Sequence, residues 1–502
     1  MKTAQASALL LVTFALLACS CPLTDLIPQN PTPEPPAAPS STPRSAFSPI
    51  LTPSPAPPPQ RTVNFYRLRL EFSTTSDWSD LTLEDPQHVL TARLMEVHGE
   101  PSHVDARSGR LALNQPLLAA EGGESVGVTV DYALSPEAPD GSLDFLLQKG
   151  AVNGSSARVL SVVGDQTQLM EEVSHQGVVE GNTDFNPLRF SVDLTPLGDN
   201  PPTEMNIPPA VHRKMVWAFY YPWYHVDDWS SPILRDRPAD PYSSDDREAI
   251  ARHIDQAQAA GIDGFISSWW GPGDYTDRNL RLLLDAAEER DFQVTIYFET
   301  MGGEGPLDPE TIRSWLAYLI SSHGDHPAFF KVNGKPLVVI WVSGAVPLDT
   351  WESVFSALRA DGLEATFLAG NYDLANLEVF DGLHEYGVFN IPDLAETLRE
   401  TGKGVGYYSL LADGMEPKLW AATVQPGYDD RLIPGREGLV QDRENGEFYR
   451  STWESALGSD PDWIFITTWN EWWEHTHIEP SEEFGDLYLR LTREYAVQWK
   501  RS

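Results

Sequence analysis

Cysteine is almost absent from this chain: of 502 residues only Cys19 and Cys21 carry a thiol, both close to the N-terminus. The remainder of the sequence therefore has no disulfide framework and no thiolate metal site, which excludes a small disulfide-held domain. Basic residues are also scarce, with 35 Lys and Arg against 73 Asp and Glu, a formal net charge of −38 and a pI near 4.5. A surface of that sign repels polyanions and argues against nucleic acid or anionic lipid head groups as partners, while neutral glycans are compatible with it. Beyond residue 18 no apolar run is long enough for a transmembrane helix. Within these limits, 41% hydrophobic and 22% charged residues leave room for two or more ordinary domains.

The apolar run that is present, Ala8–Ala18 after Lys2, has the length of a signal-peptide core. It ends in Leu16-Leu17-Ala18-Cys19, which resembles the bacterial lipobox. That resemblance implies removal of residues 1–18 and lipid attachment at Cys19, with ordinary signal cleavage nearby as the alternative. The expectation is an exported protein, lipid-anchored at the cell surface or envelope of a bacterium. Residues 19–61 read as a linker, dominated from 28 to 60 by Pro, Ser, Thr and Ala. Such a segment cannot bury a core and extends as a semi-rigid spacer, at roughly 3 Å per residue.

From 62 to 198 the period changes. Tyr66, Leu68, Leu70 and Phe72 alternate with Arg67, Arg69 and Glu71, and the same alternation recurs at Val126–Leu134 and Leu188–Leu194. With turn signals such as Pro139-Asp140-Gly141 between the runs, this predicts an antiparallel β-sandwich. Its role is open between carbohydrate binding and a spacer, since no aromatic platform, Trp78 included, is evident. A Pro-rich break at 199–212 leads into residues 213–502, where strand, loop and helix repeat. Strands are expected at 216–221, 264–269, 293–299, 336–342, 365–371, 382–386, 418–424 and 463–468, with helices such as 247–260 and 277–290 between them. Eight such units fit a (β/α)8 TIM barrel, whose active site lies at the C-terminal strand ends.

The last strand end carries the chemistry. Thr467–Pro480 holds Glu471 and Glu474 three residues apart among Trp469, Trp472, Trp473, Asn470, His475 and His477. Paired carboxylates ringed by aromatics suit sugar cleavage, because sugars offer apolar C–H faces and hydroxyl edges. The other reading is a Trp-rich strand end packed on a neighbour, with solvated glutamates. The remaining strand ends favour the first reading. They carry Tyr220-Tyr221-Pro222-Trp223-Tyr224, Trp269-Trp270, Glu299, Asn371, His384-Glu385-Tyr386 and Gly427-Tyr428.

Phe219-Tyr-Tyr-Pro-Trp-Tyr224, Ala260-Gly-Ile-Asp-Gly-Phe265, Ser268-Trp-Trp-Gly-Pro272, Val332-Asn-Gly-Lys-Pro336, Pro426-Gly-Tyr428 and Trp469-Asn-Glu-Trp-Trp-Glu474 with Ile478-Glu479 together resemble glycoside hydrolase family 99. The resemblance covers roughly residues 214–500 and implies an endo-α-mannosidase- or endo-α-mannanase-like retaining hydrolase. It implies that Glu474 is the acid and then the base. Glu471 would take the proton of the sugar's own 2-hydroxyl, which attacks the anomeric carbon to give a 1,2-anhydro sugar. Direct attack by a carboxylate remains the ordinary alternative. Either route expects Glu474 protonated and Glu471 ionised near neutral pH. Expected substrate contacts are Tyr221, Trp223, Trp270, Glu299, Asn371, Tyr386, Asn470, Trp472, His475 and His477. The family reads His, Gly and Gln where this chain has Trp473, His475 and His477, which leaves the glycan and linkage open. His475-x-His477-x-Glu479 has the look of a metal cluster, but the sequence supplies no further ligand group, so neither metal nor cofactor is expected.

The reading is thus a monomeric glycoside hydrolase acting on α-linked, mannose-containing glycans. Two alternatives stand beside it: a non-catalytic glycan-binding surface lipoprotein on a barrel scaffold, and a barrel hydrolase of different α-linkage specificity. The anchor has its own test. Cys19→Ser should shift the protein from the membrane pellet to the supernatant on fractionation, and continued sedimentation with membranes overturns the lipid attachment.

Overall fold

Alternation along the first described segment produces a sheet with one face in a core. In the computed structural model, which describes residues 61–502 except 86, 100–109, 115–124, 151–152, 177–186, 208–209, 212, 303–304, 412–416 and 437, β1 (Arg61–Thr74) turns Leu68, Leu70 and Phe72 inward. The signal segment, Cys19 and the linker up to residue 60 lie outside the described residues. The other strands of this region are β2 (Trp78–Leu83), β3 (Val89–His98), β4 (Arg110–Asn114), β5 (Val126–Leu134), β6 (Ser142–Lys149), β7 (Ser155–Val163), β8 (Gln166–His175), β9 (Leu188–Asp193) and β10 (Thr203–Ile207). They form two antiparallel sheets, β3-β5-β1-β7-β8 with β10 on β1, and β4-β2-β6-β9. Leu81, Leu111, Phe145 and Leu147 from the second sheet meet Leu70, Phe72 and Val130 of the first in one core. The region is therefore the expected sandwich.

Its outer face is not all solvent. β5 is buried along its whole length, because Asp131 takes the side chains of Arg67 and Arg69 while Ala133 faces the second half of the chain. There Val63, Phe65 and Ile207 pack on Tyr407, whose hydroxyl donates to the Asn64 carbonyl at 3.0 Å. The large exposed apolar side chains of the sandwich, Leu94, Val97, Val163, Leu169 and Met205, include no aromatic ring. Trp78, Tyr66 and Phe190 are half-buried, and the visible contact of the sandwich is with the barrel.

The barrel strands are β11 (Met215–Tyr220), β12 (Gly264–Trp269), β13 (Gln293–Phe298), β14 (Lys335–Ile340), β15 (Thr366–Gly370), β16 (Gly382–His384), β17 (Leu419–Val424) and β18 (Trp463–Ile466). Each is parallel to the next, and β18 pairs with β11, so the sheet closes. The eight expected strands are all present, each within one or two residues of its expected start. Alternate side chains serve two cores, as strand pleating requires. Met215, Trp217 and Phe219 point into the barrel beside Leu337, Leu368, Trp463 and Phe465, whereas Val216, Ala218 and Tyr220 face the helices.

The helices are α1 (Arg247–Ala259), α2 (Tyr275–Glu288), α3 (Pro309–His323), α4 (Leu348–Ala360), α5 (Leu394–Leu411), α6 (Glu447–Leu457) and α7 (Leu487–Arg501). Asp246, Asp274 and Asp308 cap the first three by accepting backbone N–H groups, and Pro309 follows its cap where its missing N–H costs nothing. Ile250, Ile254 and Ala257 of α1, and Leu280, Leu283, Leu284 and Ala287 of α2, form the buried stripes that their spacing predicts. One crossover departs from the pattern: a short 3₁₀ turn, Leu374–Glu378, replaces the helix between β15 and β16.

Gly264 opens β12 where a Cβ would lie 2.3 Å from the Trp217 ring and 2.7 Å from the Gln293 carbonyl oxygen. Gly264→Ala is expected to destabilise the barrel by about 1–3 kcal/mol, the cost of overpacking a filled interior. A chemical-denaturation midpoint equal to that of the parent would contradict this close packing.

Candidate active site

Trp463–Ile466 is the whole of β18, and the chain then folds back on itself instead of continuing as a strand. Thr468 N–H donates to Thr476 O at 2.9 Å, and Ile478 N–H returns to Thr468 O at 3.0 Å. The Thr468 hydroxyl accepts the Glu471 N–H at 2.8 Å, and His475 takes a left-handed φ of 54° where the turn reverses. The loop is fixed to β11 by Asn470, whose Oδ1 accepts Tyr221 N–H at 2.7 Å and whose Nδ2 donates to Tyr221 O at 3.0 Å. Local sequence makes the turn, and the barrel seam orients it.

This turn places Glu471 and Glu474 in buried positions with different partners. Glu471 Oε1 accepts from Tyr224 OH at 3.3 Å and from Trp473 N–H at 3.0 Å. Burial first, and the Glu474 carboxylate second, push the Glu471 carboxyl well above the usual range, against the opposing pull of Arg436. Glu474 forms an ion pair with Arg436 at 2.8 Å and accepts from Tyr386 OH at 3.3 Å, while Tyr221 OH donates to Tyr386 OH at 2.9 Å. Glu299, at the end of β13, is a third buried carboxyl. It accepts from Ser268 Oγ at 2.6 Å and is raised to about 8, chiefly by burial and further by Glu474. These surroundings work against the ionised Glu471 that the sequence suggests, because desolvation beside a second carboxylate disfavours the charged form.

Several other expected residues share this space. Tyr386 rests on Phe219 and Tyr297, with ring centroids 5.3 Å and 5.9 Å away. Trp223 is half-buried and stacks on Trp473 at 5.4 Å with planes 15° apart, and Tyr221 lies against it at 4.6 Å. Trp270 is half-buried, with its indole N–H on Ser268 Oγ at 3.1 Å. Asn371 reaches the same rim, but its amide holds its own loop through Ser343 Oγ at 2.8 Å, Asp373 N–H at 2.9 Å and Asn376 Nδ2 at 2.7 Å.

The structure turns others away. Asn470, Trp472 and His477 are 0% exposed. Asn470 serves the seam. Trp472 donates its indole N–H to Glu479 Oε2 at 3.2 Å and stacks on His477 at 3.8 Å. These three were expected as substrate contacts, and the structure places them in buried positions where their bonds go to neighbouring protein groups. Trp–Asn–His strings look alike whether they face a cleft or a core, because a turn has no period from which to read orientation. His475 lies with His477 beside Asp236. Glu479 is separate from that group, held by His253 at 2.9 Å and Tyr242 at 3.1 Å.

Sequence reading missed Arg436, Tyr224, Ser268 and Asp236 as members of the site or its support. Tyr224 and Ser268 stood inside recognised strand-end motifs. Arg436 and Asp236 sit in loops with no local pattern, so only folding brings them in.

The Glu299 shift has a measurable consequence. Its carboxyl ionises near 4.5 when free and near 8 when folded, so the folded state holds the proton more tightly. The resulting stabilisation is full below pH about 4.5 and is lost as pH rises through about 8. Glu299→Gln lacks this loss, and its stability relative to the parent should rise across that window in denaturation curves. Parallel pH profiles for the two proteins would show that Glu299 titrates normally.

With this geometry established, likeness to known proteins can be placed. The family model for glycosyl hydrolase family 99 matches residues 227–484. A glycoprotein endo-alpha-1,2-mannosidase of Rattus norvegicus is 25% identical over 364 residues, covering 59% of this chain and 76% of the relative. A glycoprotein endo-alpha-1,2-mannosidase-like protein of Homo sapiens is 26% identical over 347 residues, covering 56% and 74%. A solved endo-alpha-mannosidase of Bacteroides thetaiotaomicron is 27% identical with a TM-score of 0.49, covering 57% of this chain and 98% of that one. A family match that runs over more than half of the chain, from the loop after β11 to beyond the turn with the two glutamates, makes this protein a glycoside hydrolase, endo-alpha-mannosidase-like, belonging to glycosyl hydrolase family 99.

Proposed function

We propose that this protein cleaves α-linked, mannose-containing glycans with retention, using Glu471 and Glu474. The observation that carries the reading is the pair itself: two buried carboxyls on one turn, one forced toward its neutral form and the other ion-paired. Burial and the neighbouring Glu474 carboxylate disfavour the charged form of Glu471, while Arg436 pairs with Glu474. For turnover Glu474 must carry a proton, which requires the bound sugar to take over part of the Arg436 and Tyr386 contacts.

Glu471 then accepts the proton of the 2-hydroxyl as O2 attacks the anomeric carbon. The bond from that carbon to the leaving oxygen breaks, and the oxygen takes the proton of Glu474. Water next attacks the 1,2-anhydro sugar, passing a proton to Glu474, while O2 recovers its proton from Glu471. In an α-mannoside the axial O2 lies anti to the axial leaving group. An aligned internal nucleophile of this kind has an effective molarity on the order of 10⁵ M or more. Tyr221, Trp223, Trp270, Tyr386 and Glu299 are the substrate contacts favoured by their exposure or position, with the Trp223–Trp473 stack as an apolar wall for a sugar face. We further propose that the protein works outside the cytoplasm of a bacterium, anchored through Cys19 as a monomer.

Glu471→Gln and Glu474→Gln should each lower kcat/KM on a responsive α-mannan or high-mannose glycan by about 10²–10⁴-fold, the usual loss of acid–base assistance. If both variants stay within about tenfold of the parent, the assignment is wrong. If the parent releases no product from a broad α-glycan panel yet binds a member of it, the non-catalytic binding reading replaces this one.

A further inference from the structure

Asp236, His475 and His477 take no part in the chemistry above, and they converge. Each offers one ligand atom, and these atoms lie within 4.8 Å of one another. Asp236 Oδ2, His475 Nε2 and His477 Nε2 are all buried without a hydrogen-bond partner. His477 Nε2 and Asp236 Oδ2 stand 3.3 Å apart without hydrogen-bond alignment. Buried polar atoms this close, none with a well-aligned hydrogen bond, favour a shared partner, since an unsatisfied buried polar atom costs about 1–3 kcal/mol.

We infer that Asp236, His475 and His477 form a binding site for a divalent cation of the zinc class, which ties the loop after β11 to the turn carrying Glu471 and Glu474. Zinc at about 2.0–2.2 Å from nitrogen and oxygen ligands sets tetrahedral neighbours roughly 3.3–3.5 Å apart, the separation that His477 and Asp236 already have. Two imidazoles and one carboxylate suit zinc and leave a fourth position for water. One of the three ligands is held from behind by the backbone. Asp236 Oδ1 accepts the N–H groups of Arg237 at 2.7 Å and Glu483 at 3.1 Å, which turns Oδ2 toward the imidazoles. Trp472 stacks on the His477 ring at 3.8 Å.

Backbone geometry agrees with this. His475 accepts a φ of 54°, a region that favours glycine, and a ligand bond is a reason to keep imidazole there. The opposing charges are Arg235, near His475, and Arg443, which donates to the carbonyls of His475 and His477 at 2.8 Å each and lies 3.4 Å from His477 Nδ1, away from the ligating nitrogen. The cost of Arg443 is offset in part by Glu483 and by a chain of net charge −38.

The competing occupant is a bridging water. The full chain is stripped with EDTA, dialysed and titrated with zinc sulfate, following bound zinc by elemental analysis and the melting temperature by calorimetry. One zinc per chain is expected, with a rise of several degrees when free zinc is ~100-fold above its dissociation constant. His475→Gly, which suits the backbone at that position, and Asp236→Asn should each abolish the rise while remaining folded by circular dichroism. Should His475→Gly fail to fold, Asp236→Asn and the parent titration still decide. Identical melting of stripped and zinc-loaded parent, or undiminished zinc binding in both variants, overturns the site. None of these readouts uses turnover, so they stand or fall separately from the proposed hydrolysis.

Discussion

Asn470 holds the mouth of the barrel shut at its seam. Its amide accepts from and donates to the same residue, Tyr221, and so splices the turn after β18 to the end of β11 where strand pairing has already stopped. A buried amide so used cannot be exchanged for an apolar group without leaving the Tyr221 N–H and C=O unpaired. The same residue also reaches Tyr242, which touches Glu479, which receives Trp472 and His253. One polar network therefore fixes the turn from behind and leaves Glu471 and Glu474 on its open side. This is why so many of the polar residues in Thr467–Pro480 are supports.

The site in front of that network is governed by too many acids in too little water. Glu299, Glu471 and Glu474 are all buried, and a single guanidinium, Arg436, is paired with one of them. Desolvation makes each negative charge expensive and makes each sensitive to its neighbours. Glu299 and Glu471 are both shifted toward their neutral forms, chiefly by burial.

The sandwich and barrel meet through the outer face of one sheet. Burial of Ala133 and of the Asp131 ion pairs on a face that alternation alone assigns to solvent shows that part of that face is an internal contact.

Much of the architecture was legible in the chain because it rests on periodicity. Alternation at Leu68, Leu70 and Phe72, helical stripes at Leu280, Leu283 and Leu284, and short apolar runs such as Trp463–Ile466 each bury a face by themselves, so pattern alone determines the element. The strand ends of a barrel converge by topology, which made Tyr221, Trp270, Glu299, Tyr386, Glu471 and Glu474 legible as one group. Side-chain direction within the turn was not legible, because a segment reversed by Thr468 hydrogen bonds and a left-handed His475 has no repeat. Nor were Arg436 and Asp236, whose partners lie far away in sequence and whose loops carry no pattern. The sequence by itself determined the elements, their order and the glutamate pair. Only the tertiary structure decided which groups face the cleft, which brace it and which carboxyls keep their protons, since those depend on distance and lost water, and neither is written in local sequence.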